Sequence, residues 1–319
     1  MVIDVPPPVI EVEELVKRYR KATTPAVDGV SLEVTRGEFF TLLGPNGAGK
    51  TTTISVLTTT LLPSAGTVRV AGFDVVRDAG VVRRRVGIIF QQPSLDRNLT
   101  GEQNIRLHAI LYGRYPYRPS YRAMPRSYRE TVSELSVLLG IERDIFRPIR
   151  TMSGGMKRKL EILRSLLHRP EVLFLDEPTA GLDAVSRREL WAYLRRVQAE
   201  NDTTIFLTTH YLEEAEGADR VCIIARGKVV ATGSPTELTH RLVSRHLLYL
   251  DAADRNQLRA ELRARDVEFE ETPTFTVAAS QEVAPQLVQS IQTPLSMVRT
   301  YAPTLEDAYL DIIGREDDE

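Results

Sequence analysis

The stretch GPNGAGKT, residues 44–51, constrains this chain more than any other. It matches the phosphate-loop pattern G-x-x-x-x-G-K-[ST], in which glycines let the backbone wrap closely and aim successive N–H groups at phosphate oxygens. The apolar run FFTLL precedes it and a helical pattern follows it, which is the context that the pattern requires. We therefore expect a nucleotide here, with Lys50 reaching its terminal phosphates and the Thr51 hydroxyl binding Mg²⁺.

Composition narrows the class of protein. The 41 basic and 43 acidic residues nearly balance, which argues against a protein whose main task is to coat nucleic acid. The single cysteine, Cys222, lies in an apolar run, so we expect a buried thiol and a reducing compartment. The N-terminus lacks the layout of a signal peptide, and no apolar run reaches the roughly 18 residues of a membrane-spanning helix. We expect a chain that is soluble by itself.

The order of apolar runs and helices predicts an α/β fold in two domains. Strands that alternate with helices favour a mainly parallel sheet covered on both faces. A helical block, residues 100–167, interrupts that alternation and indicates a subdomain. After the turn TGSPTEL the predicted order is strand (His246–Asp251), helix (Asp254–Arg265), two strands within VEFEETPTFTVAA, helix (Val283–Ile291) and strand (Ser296–Thr300). This order is that of a ferredoxin-like unit, so we predict domains at 1–240 and 241–319.

Two adjacent carboxylates end the apolar strand VLFLDEP. Beside a phosphate loop, Asp176 can hold Mg²⁺, and Glu177 can then polarise the attacking water as a general base. Taken alone, the pair fits a solvated strand end equally well. The neighbouring phosphate loop favours the catalytic interpretation.

His210, at the end of TTIFLTTH, and the glutamines after VGIIF are weaker candidates. A lone histidine is more often structural than catalytic. Gln91 could reach Mg²⁺ or the attacking water, and spacing alone allows Gln92 the same role. An exposed glutamine with no function is the alternative for both.

The stretch TMSGGMKRK opens a helix with Ser153, Gly154 and Gly155, followed by Lys157, Arg158 and Lys159. Such a start exposes backbone N–H groups at the positive end of a helix dipole, which suits an anion. The residues themselves do not identify that anion.

In this order, the phosphate loop, glutamine, Ser-Gly-Gly start, FLDEP, GLD and histidine resemble those of ABC transporter ATPases over roughly residues 9–240. The resemblance implies a P-loop NTPase core with an antiparallel β subdomain and a helical subdomain. It also implies that Tyr19 stacks on adenine, that the glutamine is Gln91, and that His210 contacts the γ-phosphate. The implied nucleotide-binding set is Tyr19, Gly44, Asn46, Gly47, Gly49, Lys50, Thr51, Thr52, Ser153, Gly154, Gly155 and Asp183. Thr51, Gln91 and Asp176 would hold Mg²⁺, and Glu177, His210 and Gln91 would be catalytic.

The family resemblance also implies partners. Two copies would pair head to tail, with Asp183 at the seam, so that Ser153–Gly155 of one copy completes the ATP site of the other. The anion at the helix start would then be the γ-phosphate bound by the partner copy. An integral membrane permease would hold the ATPase at the inner face of the cell membrane, and no nucleic-acid partner is expected.

Within the family, SGGM and the tail APTLEDAYLDIIGRE are similar to the daunorubicin-resistance branch of drug and lipid exporters. The family's common form of the helix start ends in glutamine, and Met156 in its place cannot donate the same hydrogen bond. We expect the ATPase subunit of an exporter of a drug, lipid or glycan. The alternatives are an importer ATPase, whose extension is usually a β-rich barrel, and a nucleic-acid-handling ABC ATPase. The interval 44–153 shows no sustained heptads of the kind the latter would need.

A segment rich in arginine and tyrosine, Arg114–Arg129, has no place in these motifs. We interpret it as a solvated, proline-stiffened loop. Contact with a permease or with anionic lipid headgroups is the alternative.

Overall fold

The computed structural model describes residues 7–91, 94–242, 246–271, 273–279, 283–301 and 304–317. The chain divides into two compact units, Met1–Thr232 and Gly233–Glu319. This division falls just before the helix Pro235–Leu242, whereas the sequence analysis put the boundary at residue 240, inside that helix.

The first unit is built from ten strands, seven α-helices and two short 3₁₀ helices within the described residues. The strands are β1 (Ile10–Lys17), β2 (Val27–Val34), β3 (Phe39–Leu43), β4 (Ala65–Val70), β5 (Phe73–Asp74), β6 (Val86–Ile89), β7 (Val172–Asp176), β8 (Thr204–Thr209), β9 (Arg220–Ala225) and β10 (Lys228–Gly233). The helices are α1 (Lys50–Leu57), α2 (Ala79–Arg85), α3 (Gly101–Leu111), α4 (Arg126–Leu138), α5 (Gly154–Leu166), α6 (Ala184–Asn201) and α7 (Leu212–Glu216).

A six-stranded sheet in the order β10-β9-β3-β8-β7-β6 positions the phosphate loop. The pairs from β9 through to β6 are parallel, and every residue of β3, β7 and β8 is buried. Leu43 pairs with Thr209 and Asp176 with Thr208, so the carboxyl ends of β3, β7 and β8 meet at one edge. The loops that follow these three strands therefore lie side by side.

A second, antiparallel sheet has the order β2-β1-β4-β5. Its apolar face shares one core with the parallel sheet, in which Leu15 of β1, Phe40 of β3 and Ile54 of α1 are packed together. The predicted α/β core with an antiparallel subdomain is confirmed. Cys222 of β9 is fully buried in the same core, as predicted, and burial raises the pKa of its thiol to about 11.

The helical block contains α3, α4 and α5, and it corrects the interpretation of the arginine- and tyrosine-rich segment. Tyr128, in α4, is fully buried, and the rings of Tyr115 and Tyr121 pack edge-on against it. The segment's arginines are exposed. It is therefore not a uniformly solvated loop, because three of its four tyrosines pack together, while Tyr117 is exposed.

The second unit contains α8 (Pro235–Leu242), β11 (His246–Ala252), α9 (Arg255–Ala264), β12 (Phe269–Glu271), β13 (Phe275–Ala279), α10 (Val283–Ser290), β14 (Leu295–Tyr301) and α11 (Leu305–Asp317). Its sheet is antiparallel in the order β12-β13-β11-β14. Leu250, Phe275 and Leu258 pack in a core between the sheet and helices α9 and α10. The ferredoxin-like order predicted from the sequence is confirmed.

Candidate functional site

The phosphate loop connects β3 to α1 and depends on glycine at two positions. Gly47 and Gly49 have φ angles of +83° and +104°, which are left-handed values that favour glycine. A Cβ at Gly49 would lie 2.5 Å from the carbonyl oxygen of Ala26. Gly44 donates its N–H to Thr209 at 3.3 Å, and Asn46 lies exposed at the tip of the loop. This glycine-lined loop, leading into a helix N-terminus, suits a chain of phosphates.

Lys50 begins α1 and turns back over the loop. Its Nζ donates to the carbonyl oxygens of Gly44 and Pro45 at 2.8 and 2.9 Å, and lies 3.8 Å from Oε1 of Glu177. Burial lowers the pKa of Lys50, and the carboxylates of Glu177 and Asp176 oppose that shift. Because this ammonium group is buried, water stabilises its charge poorly. A bound phosphate would stabilise that charge instead.

Thr51 and Asp176 bring two oxygen ligands together. Thr51 Oγ1 lies 3.3 Å from Asp176 Oδ1, which also accepts a 2.5 Å hydrogen bond from the hydroxyl of Thr208. Among the described residues, no group of three His, Cys, Asp or Glu side chains forms a metal site. Hydroxyl and carboxylate oxygens nevertheless fit Mg²⁺, which is usually bound by one or two protein groups together with substrate phosphates.

Glu177 is the centre of the predicted catalytic group. Its Oε2 accepts from Nε2 of Gln91 at 3.0 Å, and its Oε1 lies 3.1 Å from Nδ1 of His210. Its φ of +45° is a left-handed value, and its N–H donates to Thr208 at 3.1 Å. The structure therefore brings Gln91, Glu177, His210 and Lys50 together, while Gln92 lies outside the described residues.

Tyr19 lies beside the same helix. Its hydroxyl is 3.3 Å from Oγ1 of Thr52, and 46% of the side chain is exposed. An exposed aromatic ring next to the phosphate loop offers a surface on which a base can stack.

Ser153–Gly155 and Asp183 form a second group. Ser153 caps α5, with Oγ accepting from the N–H of Met156 at 3.2 Å, and Asp183 caps α6 through Val185 and Ser186. A Cβ at Gly155 would lie 3.3 Å from Oγ of Ser186, so the two helix starts are adjacent. Hydrogen bonds from Ser186 lower the pKa of Asp183. No hydrogen bond or ion pair between described residues joins this group to the phosphate loop of the same copy.

Sequence reasoning missed two residues at this site. Thr208 is a buried hydroxyl near the end of β8 that orients Asp176, and its polar side chain in an apolar strand was the available signal. Arg158 was given no role in the basic run that follows Gly155, yet it is 6% exposed and donates to the carbonyl oxygen of Asp176.

Within the described residues, no helix has both the length and the apolar character that crossing a bilayer requires. The family model described as ABC transporter matches residues 27–180.

The chain is similar to two curated proteins along much of its length. Nod factor export ATP-binding protein I of Ralstonia nicotianae is 37% identical over 316 residues, covering 97% of this chain and 95% of that one. Daunorubicin resistance ATP-binding protein DrrA3 of Streptomyces coeruleorubidus is 44% identical over 230 residues, covering 72% of this chain and 69% of that one.

One solved structure, described as the dimeric structure of MJ0796, a bacterial ABC transporter cassette, is similar in fold. It has a TM-score of 0.63 and 25% identity, and the match covers 70% of this chain and 98% of that one.

Proposed function

This chain belongs to the family of ABC transporter ATP-binding proteins, and from that premise we propose that it is the Mg²⁺-dependent ATPase subunit of an exporter. Its partner would be a separate membrane permease, and its cargo a drug, lipid or glycan. One observation carries the proposal: the similarity to an export ATP-binding protein covers 97% of this chain and so includes the second unit. A shared phosphate loop alone would not distinguish an exporter from other ATPases.

The proposed reaction begins with the phosphates in the loop that ends at Lys50. The N–H groups of the loop and the ammonium group bind the β- and γ-phosphates, while Tyr19 stacks on adenine. Thr51, Asp176 and Gln91 would hold Mg²⁺, which would neutralise charge that develops on the phosphate oxygens.

Glu177 acts as the general base in this proposal. Its carboxylate accepts a proton from the water that attacks the γ-phosphorus. The bond from that phosphorus to the β–γ bridging oxygen breaks, ADP leaves with that oxygen, and the proton leaves with the product phosphate. Gln91 and His210, 3.0 and 3.1 Å from the two carboxylate oxygens, fix the direction in which those oxygens point. In this proposal His210 also donates a hydrogen bond to the γ-phosphate.

Two copies complete each site. The exposed N–H groups at Ser153–Gly155 meet the γ-phosphate bound by the loop of a second copy, and Asp183 lies at the seam. The absence of a described contact from this group to its own loop supports a shared site, as does similarity to a cassette described as dimeric. The dimer would be held at the inner face of the membrane by the permease.

Phosphate release by the purified chain tests the ATPase proposal. We expect turnover with Mg-ATP, none with EDTA, and none after Lys50→Ala, which removes the buried cation that binds phosphate. Coexpression with a candidate permease, followed by purification through a tag on the permease, tests the transport role. The transport role would be contradicted if the chain does not copurify with any six-helix membrane protein encoded beside it. The ATPase proposal would be contradicted if Lys50→Ala leaves the rate of ATP hydrolysis unchanged.

A further inference from the structure

We propose that Arg158 and Glu161 form a positioning pair that fixes the backbone on both sides of Glu177 and the loop of Gln91. The pair links these groups to the helix start that meets the partner's nucleotide. The inference rests on the proposed ATPase function, because its consequence is measured in ATP turnover. Arg158 and Glu161 lie on α5, one helical turn apart, and both are buried.

Arg158 donates hydrogen bonds to three backbone carbonyl oxygens from two different loops. Its Nη1 donates to Phe90 at 2.6 Å, its Nη2 to Asp176 at 3.3 Å and its Nε to Pro178 at 2.9 Å. Asp176 and Pro178 are the residues on either side of Glu177. One planar guanidinium group therefore holds both neighbours of the predicted general base.

Glu161 supplies the charge that lets Arg158 stay buried, and it makes a contact of its own. Its Oε2 accepts from Nη1 of Arg158 at 3.2 Å, and its Oε1 accepts from the N–H of Ser94 at 2.7 Å. Phe90 and Ser94 lie on either side of the stretch that contains Gln91. Thus the pair holds the chain at one residue on each side of Gln91, by the carbonyl of Phe90 and the N–H of Ser94.

The need for such a clamp follows from the conformation of Glu177. A non-glycine residue with a φ of +45° is strained, and it persists only when its surroundings fix it. The bonds from Arg158 to Asp176 and Pro178, with the bond from Glu177 N–H to Thr208, supply that constraint. Without the clamp, Glu177 would relax and its carboxylate would turn away from Gln91 and His210.

The same guanidinium is tied to the helix start at Ser153 because both are part of α5. Arg158 lies five residues after the serine, little more than one turn along a stiff rod. A shift of α5 when a partner's phosphate binds at its start would move the carbonyl acceptors of Arg158. This places Arg158 between the half-site for the partner's nucleotide and the base that acts on the copy's own nucleotide.

The test removes the pair without leaving an unpaired buried charge. Replacing both members of a buried ion pair by apolar residues of similar size often leaves stability unchanged. In the double variant Arg158→Met with Glu161→Leu, we expect ATP affinity within twofold of the wild type. The turnover number should fall about tenfold to a hundredfold, because a displacement near 1 Å at a catalytic group costs that much. The matched control is Arg147→Met with Asp144→Leu, another i,i+3 pair that is partly exposed, and it should leave turnover unchanged.

Arg158→Lys is the second variant, because it keeps the charge but cannot reach three carbonyl oxygens at once. It should have a melting temperature close to that of the wild type and a reduced turnover number. Wild-type turnover in a folded Arg158→Lys or double variant would overturn the inference and leave the proposed function intact. A wild-type chain with no ATPase activity would instead defeat the proposed function itself.

Discussion

Glu177 combines a strained backbone with a carboxylate held by three partners. Its oxygens contact Gln91, His210 and the ammonium group of Lys50, and only 10% of the side chain is exposed. Backbone strain of this kind costs about 1–3 kcal/mol of stability. Strained residues are most frequent at functional sites, where a side chain must point in one direction. The local geometry therefore suits a base whose position matters more than its mobility.

Glu177→Gln should separate binding from chemistry. The amide keeps the size of the side chain but cannot accept a proton, so the turnover number should fall about 10²–10⁴-fold. ATP should still bind, and the variant should accumulate as a dimer that sediments at twice the monomer mass. Phosphate release and sedimentation velocity with Mg-ATP measure the two effects. Normal hydrolysis by this variant would show that Glu177 is not the base.

At the scale of elements, we propose that the start of α5 is half of a nucleotide site. Ser153 and Gly154 are exposed, and Gly155 is packed against Ser186 at the start of α6. Two helix N-termini therefore lie side by side, which favours an anion there, and no hydrogen bond or ion pair between described residues joins them to the phosphate loop of the same copy.

Ser153→Arg should leave ATP binding by a single copy intact and abolish hydrolysis, because the long side chain blocks the partner's γ-phosphate. The variant also loses a helix cap, so Asp254→Arg, which removes the cap of α9, is the matched control. Asp254→Arg should keep full turnover. Mixing Ser153→Arg with Lys50→Ala should restore part of the activity, since one site of the mixed dimer has both halves intact. Full hydrolysis by Ser153→Arg alone would refute the shared site.

The contact between α3 and the end of α5 predicts a pH dependence. His108 stacks on Tyr112 at 4.2 Å and lies near His168 and Arg164. Burial, followed by the positive charges of Arg164 and His168, lowers the pKa of His108 to about 3. The unfolded chain therefore binds more protons below about pH 6.5, and stability is lost as the pH falls toward 3.

His108→Phe keeps the stacked ring and removes this titration. Between pH 7 and pH 5, the wild type should lose up to about 2 kcal/mol more of its free energy of unfolding than the variant. Urea unfolding at the two pH values measures the difference. Equal losses in both proteins would contradict a neutral, enclosed His108.

At the scale of the whole molecule, the sequence predicted which motifs lie together wherever those motifs follow the ends of strands. Because β3, β7 and β8 are parallel neighbours, motifs far apart in sequence had to meet at one edge of the sheet. The ferredoxin-like order of the second unit followed from its alternating patterns in the same way.

Tertiary packing determined what the sequence could not reveal. Arg158 stands in a basic run that does not reveal its partners, which are carbonyl groups from two loops. Tyr128 stands among arginines and prolines, yet its ring is enclosed by two other tyrosines. Spacing could not choose between Gln91 and Gln92; Gln91 contacts Glu177, and Gln92 lies outside the described residues.

We propose that one copy cannot hydrolyse ATP, because half of each site belongs to its neighbour. Specific ATPase activity measured over a wide range of protein concentrations, with sedimentation at each concentration, tests it most directly. Activity per milligram should fall toward zero as the protein becomes monomeric. Constant activity per milligram in a solution shown to contain only monomers would contradict the account.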